Sequence, residues 1–193
     1  MRVDQREVLS ILKEKQAVLE GHFILTSGRH ADTYIQCARI LQDPKTTSLF
    51  ISELLTKMGN LEIDLVIGPA TGGIIIAYEA GRQLGVNAIF TERENGKMTL
   101  RRGFEIPKGA RVLVVEDVVT TGGSVQEVLD VVKQKGGQVV AIGLLVDRTG
   151  GKMDFGVPTY RIFSKEIQSY EPENCLLCKE GLPAIKPGSR GLK

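Results

Sequence analysis

Apolar positions along this chain change their period several times, and each change marks a new element. Residues 4–20 set Val8, Leu9, Ile11, Leu12 and Leu19 among Glu, Lys and Gln, the spacing of an amphipathic helix. A polar, turn-rich piece from Thr26 to His30 leads into a short strand around Thr33 to Cys37. Asp43-Pro44 then starts a helix, with Asp43 placed to cap it and Pro44 to fill its first turn. Phe50, Leu54 and Met58 recur at helical spacing, and Gly59 supplies the stop.

From there short apolar runs alternate with helical stretches. Leu65 to Ile67 reads as a strand, then Gly68-Pro69-Ala70-Thr71-Gly72-Gly73 opens a small-residue helix through Leu84. Asn87 to Phe90 and Arg111 to Val115 are further strands, with a helix from Val125 to Lys135 and a fourth strand from Val139 to Val146. Continuous β-branched runs separated by helices predict an α/β fold, a mostly parallel sheet with helices on both faces. Ligands of such sheets sit beyond the carboxyl ends of the strands. The loops leaving those ends here are 68–73, 116–124 and 147–151.

Composition adds mainly exclusions. A chain of 193 residues fits one domain with a sizeable core. Its net charge of +2 makes no case for nucleic acid or membrane as a partner. No apolar run approaches the roughly 18 residues of a membrane span, and residues 1–20 lack the apolar core of a signal peptide. Three cysteines give no disulfide framework, so a reducing cytoplasmic setting is expected.

The richest chemistry lies between Arg111 and Ser124, R-V-L-V-V-E-D-V-V-T-T-G-G-S. A β-branched run meets two adjacent acids, Glu116 and Asp117, and then a loop of hydroxyls and glycines. Ser124 and Glu127 fit a capping box, so a helix should begin near Ser124. Its free N–H groups, with those of Thr121 to Gly123, form an anion site. Glu116 and Asp117 would repel a phosphate, so they should face a vicinal diol or metal-bound water instead. A ribose 5-phosphate presents both ends. The plain alternative is a strand-to-helix turn with solvated acids, which two acids directly after a buried strand disfavour. There is no G-x-x-x-x-G-K-[ST] and no G-x-G-x-x-G opening a helix after the first strand, which argues against a kinase or a dinucleotide dehydrogenase.

Three other features carry possible chemistry. Glu92 to Phe104 joins two strands through Asn95-Gly96, a hairpin-turn pair, and sets Arg93, Lys97, Arg101 and Arg102 within ten residues. Such a hairpin is ordinarily a solvated loop. Arg148 follows the fourth strand by two residues, on the ligand side, where it would either clamp a carboxylate or pair with Asp147. Cys175-Leu-Leu-Cys178 has the spacing of half a zinc site, and His22 and His30 are the only histidines. Structural thiols or a reversible disulfide are the favoured reading of that pair.

Val112 to Ser124 resembles the phosphoribosyl pyrophosphate (PRPP) signature of the type I phosphoribosyltransferases. Leu25-Thr-Ser-Gly-Arg29, Gly68-Pro-Ala70 with Gly73, and Asp147-Arg148 narrow the likeness to the orotate phosphoribosyltransferases, over most of the chain. The resemblance implies one phosphoribosyltransferase domain, with a core of about 44–165 and a small hood from about 1–43 and 166–193. It implies transfer of ribose 5-phosphate from PRPP to orotate, with Mg²⁺ held mainly by PRPP and no metal ligand from the protein.

Site residues follow by the same likeness. Glu116 and Asp117 would take the ribose hydroxyls of PRPP, Thr120-Thr121-Gly122-Gly123-Ser124 would carry its 5-phosphate, and Val118 and Val119 would belong to the same PRPP-binding run. Thr71 and Gly72 would face the pyrophosphate, although a tight strand–helix junction explains their small size equally well. Thr120 and Arg148 would hold orotate. Asp117, Lys97 and Arg93 would be the catalytic set, the two cations reaching a neighbouring subunit's site from a mobile loop in a homodimer. Two family lysines are missing, at Thr26 and at Thr71 or Gly72, and the aromatic pair near orotate is reduced to Tyr34-Ile35. The rival readings are a purine phosphoribosyltransferase, whose neutral base would leave Arg148 without a carboxylate, and a non-catalytic PRPP-sensing regulator. The latter needs a basic face or a helix-turn-helix, which residues 1–30 do not offer.

Overall fold

A computed structural model describes residues 4–25 and 27–187. Helix α1 (Gln5–Glu14) is capped by Asp4, whose carboxylate accepts from the N–H groups of Arg6 and Glu7 at 2.8 Å. It buries Val8 and Leu12 and stops well short of residue 20. Gln16 turns with φ +54°, and the chain enters β1 (Val18–Ile24). Leu19 extends the helical spacing of α1 by chance and sits on the strand, partly exposed.

Strand β2 (His30–Ile35) pairs antiparallel with β1 and begins earlier than the pattern predicts, because Cys37 already caps the short α2 (Ala38–Leu41). Helix α3 (Pro44–Met58) follows the expected rules. The Asp43 carboxylate accepts from the Lys45 N–H at 3.1 Å, Pro44 fills the first turn, and Gly59 leaves at φ +65°.

The remainder is β3 (Leu65–Pro69), α4 (Gly72–Leu84), β4 (Asn87–Glu94), β5 (Lys97–Leu100), β6 (Arg111–Val119), α5 (Gly123–Gln134), β7 (Gln138–Asp147), β8 (Thr159–Ser164) and α6 (Leu176–Lys179). Six strands form one sheet in the order β5-β4-β3-β6-β7-β8, parallel except where β5 returns along β4. Strand β6 explains why the central runs show no polar alternation. Its Leu113 and Val115 pack with α3 and α4 on one face, and its Val112 and Val114 pack with α5 on the other. Strands β5 and β8 escape the pattern because both lie at sheet edges, and β8 carries Arg161 at its middle.

The chain's end returns to the β1–β2 pair. His30 and Tyr170 exchange backbone hydrogen bonds at 2.8 Å, while Ile24 and His22 bond Ile185 in the same way. Both edges of the small sheet are thereby covered. Among the described residues no helix is long and apolar enough to cross a membrane.

Candidate active site

The acid pair lies inside strand β6 rather than in a loop after it. Glu116 stands opposite Leu144 of β7, and pairing continues to Val119. Glu116 is 6% exposed, and its burial, reinforced by the neighbouring Asp117 charge, pushes its carboxyl up to about 9. Burial raises the Asp117 carboxyl as well. The Asp117 N–H donates to Glu116 Oε1 at 3.0 Å, and the Val118 N–H donates to Asp117 Oδ1 at 2.8 Å. Burial makes both acids hold their protons more tightly than free carboxyls do, until a ligand offers hydroxyl donors or cationic charge.

Beyond Val119 the chain turns through Thr120, Thr121 and Gly122 into α5. Gly122 is the cap at φ +77°, and a β-carbon there would come within 2.6 Å of Met153 Cε. The capping box over Ser124 and Glu127 does not form. No side chain caps α5, and Glu127 is drawn away by Arg93. The first helical N–H groups therefore stay open towards a small cup of about 50 Å³ lined by residues from Thr120 to Ser124.

The 68–73 loop meets the acids directly. A β-carbon on Gly72 would lie 2.2 Å from Asp117 Oδ2, and one on Gly68 would lie 2.5 Å from the Gly73 carbonyl oxygen. Only glycine permits either approach. Thr71 caps α4, and the Ala70–Thr71 peptide is cis. Gly72 is thus beside Asp117, with Thr71 next to it in the chain, while Thr26 lies outside the described residues.

A second, larger cleft of about 550 Å³ opens next to the cup, and Val118, Thr120 and Thr121 line both. Its other walls include Arg29, Tyr34, Cys37, Asp117, Arg148 and Ser169. Arg148 does not pair with Asp147, which is fully buried and held by Arg161 Nε at 2.6 Å and by Thr149 Oγ1 at 2.6 Å. Arg148 Nε is buried with no hydrogen-bond partner among the described residues. An unsatisfied guanidinium N–H in a cleft calls for an acceptor from a ligand. Ser169 was not foreseen. It fixes Arg29, whose Nε donates to Ser169 Oγ at 2.8 Å, and it arrives from a segment after β8 that has no periodic signal.

The cationic hairpin stands apart. Asn95 and Gly96 both have positive φ and form the expected turn between β4 and β5. Arg93 pairs with Glu127 on α5 and donates to the Gly96 carbonyl at 3.0 Å. Arg102 pairs with Glu92 at 2.8 Å and Arg101 with Glu94 at 3.4 Å. Lys97 borders a shallow depression with Glu127 and Asp130. Neither Arg93 nor Lys97 lines the Arg148 cleft or the cup of the same chain. A further cleft of about 730 Å³ lies at the amino ends of β3 and β4, the opposite end of the sheet from the acids.

Comparison with known proteins places this geometry. Residues 47–174 match the family described as "Phosphoribosyl transferase domain". The chain is 56% identical over 190 residues to the orotate phosphoribosyltransferase of Caldanaerobacter subterraneus subsp. tengcongensis, covering 98% of this chain and all of that one. It is 58% identical over 191 residues to the orotate phosphoribosyltransferase of Heliobacterium modesticaldum, covering 97% of this chain and all of that protein. Among solved structures, it resembles the crystal structure of orotate phosphoribosyltransferase from Aeropyrum pernix with a TM-score of 0.71 at 32% identity, over 81% of this chain and 93% of that one. With the site geometry and these relatives together, the chain belongs to the phosphoribosyltransferases, within the orotate phosphoribosyltransferase family.

Proposed function

We propose that the cup, the acid pair and the Arg148 cleft hold PRPP and orotate side by side, and that the chain transfers ribose 5-phosphate to N1 of orotate, releasing pyrophosphate and orotidine 5′-monophosphate. The observation that carries this reading is Arg148, a half-buried arginine whose Nε is buried without a partner among the described residues, lining a cleft that shares Thr120 with the anion cup. Orotate is a planar base with one carboxylate, the acceptor such a group lacks. A neutral purine leaves it unsatisfied, which disfavours the purine reading.

The parts then divide by chemistry. The N–H groups from Thr121 to Ser124 and the hydroxyls of Thr120, Thr121 and Ser124 bind the 5-phosphate. Glu116 and Asp117 accept from the ribose 2- and 3-hydroxyls, and Thr71 and Gly72 border the leaving pyrophosphate. Charge develops on the ribose ring and on pyrophosphate as the C1–O bond breaks, so catalysis is positioning and electrostatics. No side-chain nucleophile is needed, and N1 of orotate supplies the new bond. Among the described residues no third acid or histidine converges on Glu116 and Asp117. Mg²⁺, when bound, would be ligated mostly by substrate oxygens and would neutralise the pyrophosphate.

Arg93 and Lys97 complete a site on a partner subunit of a homodimer, where they add donors to pyrophosphate and exclude water. Their separation from the cleft of their own chain supports this assignment. The chain is one phosphoribosyltransferase domain, its sheet core hooded by the flanking segments, and its three free thiols suit the reducing cytosol. The test is an assay of orotate with PRPP and Mg²⁺, followed by pyrophosphate release, beside parallel reactions with adenine and hypoxanthine. Turnover with orotate alone supports the assignment; preference for either purine overturns it.

A further inference from the structure

The four residues His22, His30, Cys175 and Cys178 stand together outside the substrate clefts, with one ligand atom from each lying within 4.8 Å of all the others. His22 is on β1, His30 opens β2, Cys175 precedes α6 and Cys178 is on it. His22, His30 and Cys175 are buried, and Cys178 is at the surface. The thiols are not joined to one another. The sequence shows only the C-x-x-C half, because the histidines come from the other end of the chain.

The separations have the size of a coordination sphere. His22 Nε2 is 2.7 Å from His30 Nδ1, 3.5 Å from Cys175 Sγ and 3.7 Å from Cys178 Sγ. Cys178 Sγ is 3.2 Å from His30 Nδ1. A tetrahedral zinc with ordinary Zn–N and Zn–S lengths sets its ligands about 3.3 Å apart for N···N and about 3.6 Å for N···S. The nitrogens must part by about half an ångström, His22 Nε2 to either sulfur and Cys178 Sγ to His30 Nδ1 need adjust less, and the two remaining separations, from Cys175 Sγ to His30 and to Cys178, lie within 4.8 Å. His22 is also held in the right tautomer, since its Nδ1 is 2.8 Å from the Leu182 carbonyl oxygen. Donating that N–H leaves only a lone pair at Nε2, which faces the other three groups. A ring nitrogen tied to a carbonyl while the other points at thiols is the outer-shell arrangement of a metal-bound histidine.

We propose that His22, His30, Cys175 and Cys178 form a structural zinc site that staples the carboxy-terminal segment to the β1–β2 sheet. Binding releases the two thiol protons to solvent, and two thiolates balance the charge of the ion, so the buried centre is neutral. All four positions are taken by protein, the mark of a structural rather than a catalytic zinc. The S₂N₂ donor set selects zinc over magnesium or calcium, which prefer oxygen. The staple spans 153 residues between His22 and Cys175, the kind of long closure that most restricts the unfolded chain. It also bears on the hood, because the turn carrying Arg29 lies between the two histidines.

The test uses the full chain, produced without a histidine tag and purified under reductant without chelator. Elemental analysis should find about one zinc per chain. Exchange to Co²⁺ should give the intense visible bands of a tetrahedral ion with near-ultraviolet thiolate charge transfer. Cys178→Ser, at the exposed ligand, should weaken zinc binding at least about 100-fold in competition with a chromophoric chelator. Should that variant not fold, the wild type decides alone: chelator should lower its melting temperature and added zinc should restore it. A wild-type protein that holds no stoichiometric zinc after equilibration with the ion, or that shows an octahedral cobalt spectrum, overturns the site. So does a Cys175–Cys178 disulfide that persists under reductant. None of these readouts depends on turnover, so they stand whatever base the enzyme uses.

Discussion

Two regions rich in charge sit on the same sheet and are built on opposite terms. At the carboxyl end of β6, Glu116 is buried and the Arg148 guanidinium has an unsatisfied buried N–H. On the β4–β5 hairpin, Arg93, Arg101 and Arg102 are half-exposed and each has found an acid, Glu127, Glu94 and Glu92. Exposed pairs of this kind contribute little to stability and exchange partners readily. Buried charge left open is costly unless something arrives to satisfy it. The first region is preorganised for ligands, and the second can be spared for motion. A protein that must both grip a reactive sugar and later release its products needs one of each.

The sharpest way to break that contrast is to remove the hairpin's cation. Lys97→Ala should lower kcat by about 1000-fold, as for the loss of one aimed donor, while leaving the orotate KM nearly unchanged. Mixed with Arg148→Ala protein and allowed to exchange subunits, it should recover up to about a quarter of wild-type activity, because half the dimers are mixed and each has one intact site. Recovery at the level of the unmixed variants would place the hairpin in its own chain's site. Next in size, Arg148→Ala should raise the orotate KM about 100-fold, the worth of a two-pronged charged hydrogen bond. The PRPP KM should move much less, and equal losses for both substrates would count against the carboxylate clamp.

The same contrast governs what could be read from the sequence. The β6–α5 junction was legible because its signals are local: an apolar run, two acids and the glycines of the turn are neighbours in the chain. Even there a local rule misled. Ser124 and Glu127 match a capping box, but Glu127 is bonded by Arg93 from 34 positions away, a tertiary contact that no spacing encodes. The Asn95-Gly96 turn was legible, whereas its distance from the Arg148 cleft was not, since that depends on how β4 and β6 are ordered in the sheet. Ser169 and the four-residue cluster around His22 share the same difficulty. Each joins segments more than 130 residues apart, and Cys175-x-x-Cys178 by itself looked like a pair of thiols.

Stability should separate the regions on a smaller scale. Burial beside Asp117 pushes the Glu116 carboxyl up to about 9 in the folded chain, from 4.5 ordinarily. Below about pH 4.5 the group is protonated folded or unfolded. As the pH rises towards 9 the unfolded chain gives up a proton that the fold retains, so unfolding becomes easier. The substrate-free protein should therefore melt several degrees lower at pH 8.5 than at pH 5.5, about 2–4 °C for each kcal/mol lost. In Glu116→Gln that slope should flatten, and a variant with an undiminished slope would remove Glu116 as its source.

The smallest effect belongs to the hairpin's surface. Arg102→Ala removes the pair with Glu92 and a guanidinium 5.6 Å from the centre of the Phe90 ring, both made by a side chain that is itself exposed. Its melting temperature should change by no more than about 2 °C. That change should shrink further in high salt, because solvent ions screen exposed charges and leave the buried acids nearly untouched. A large, salt-insensitive loss in Arg102→Ala would mean that the hairpin is braced rather than free. The division between a rigid grip and a movable cover would then have to be drawn elsewhere in the molecule.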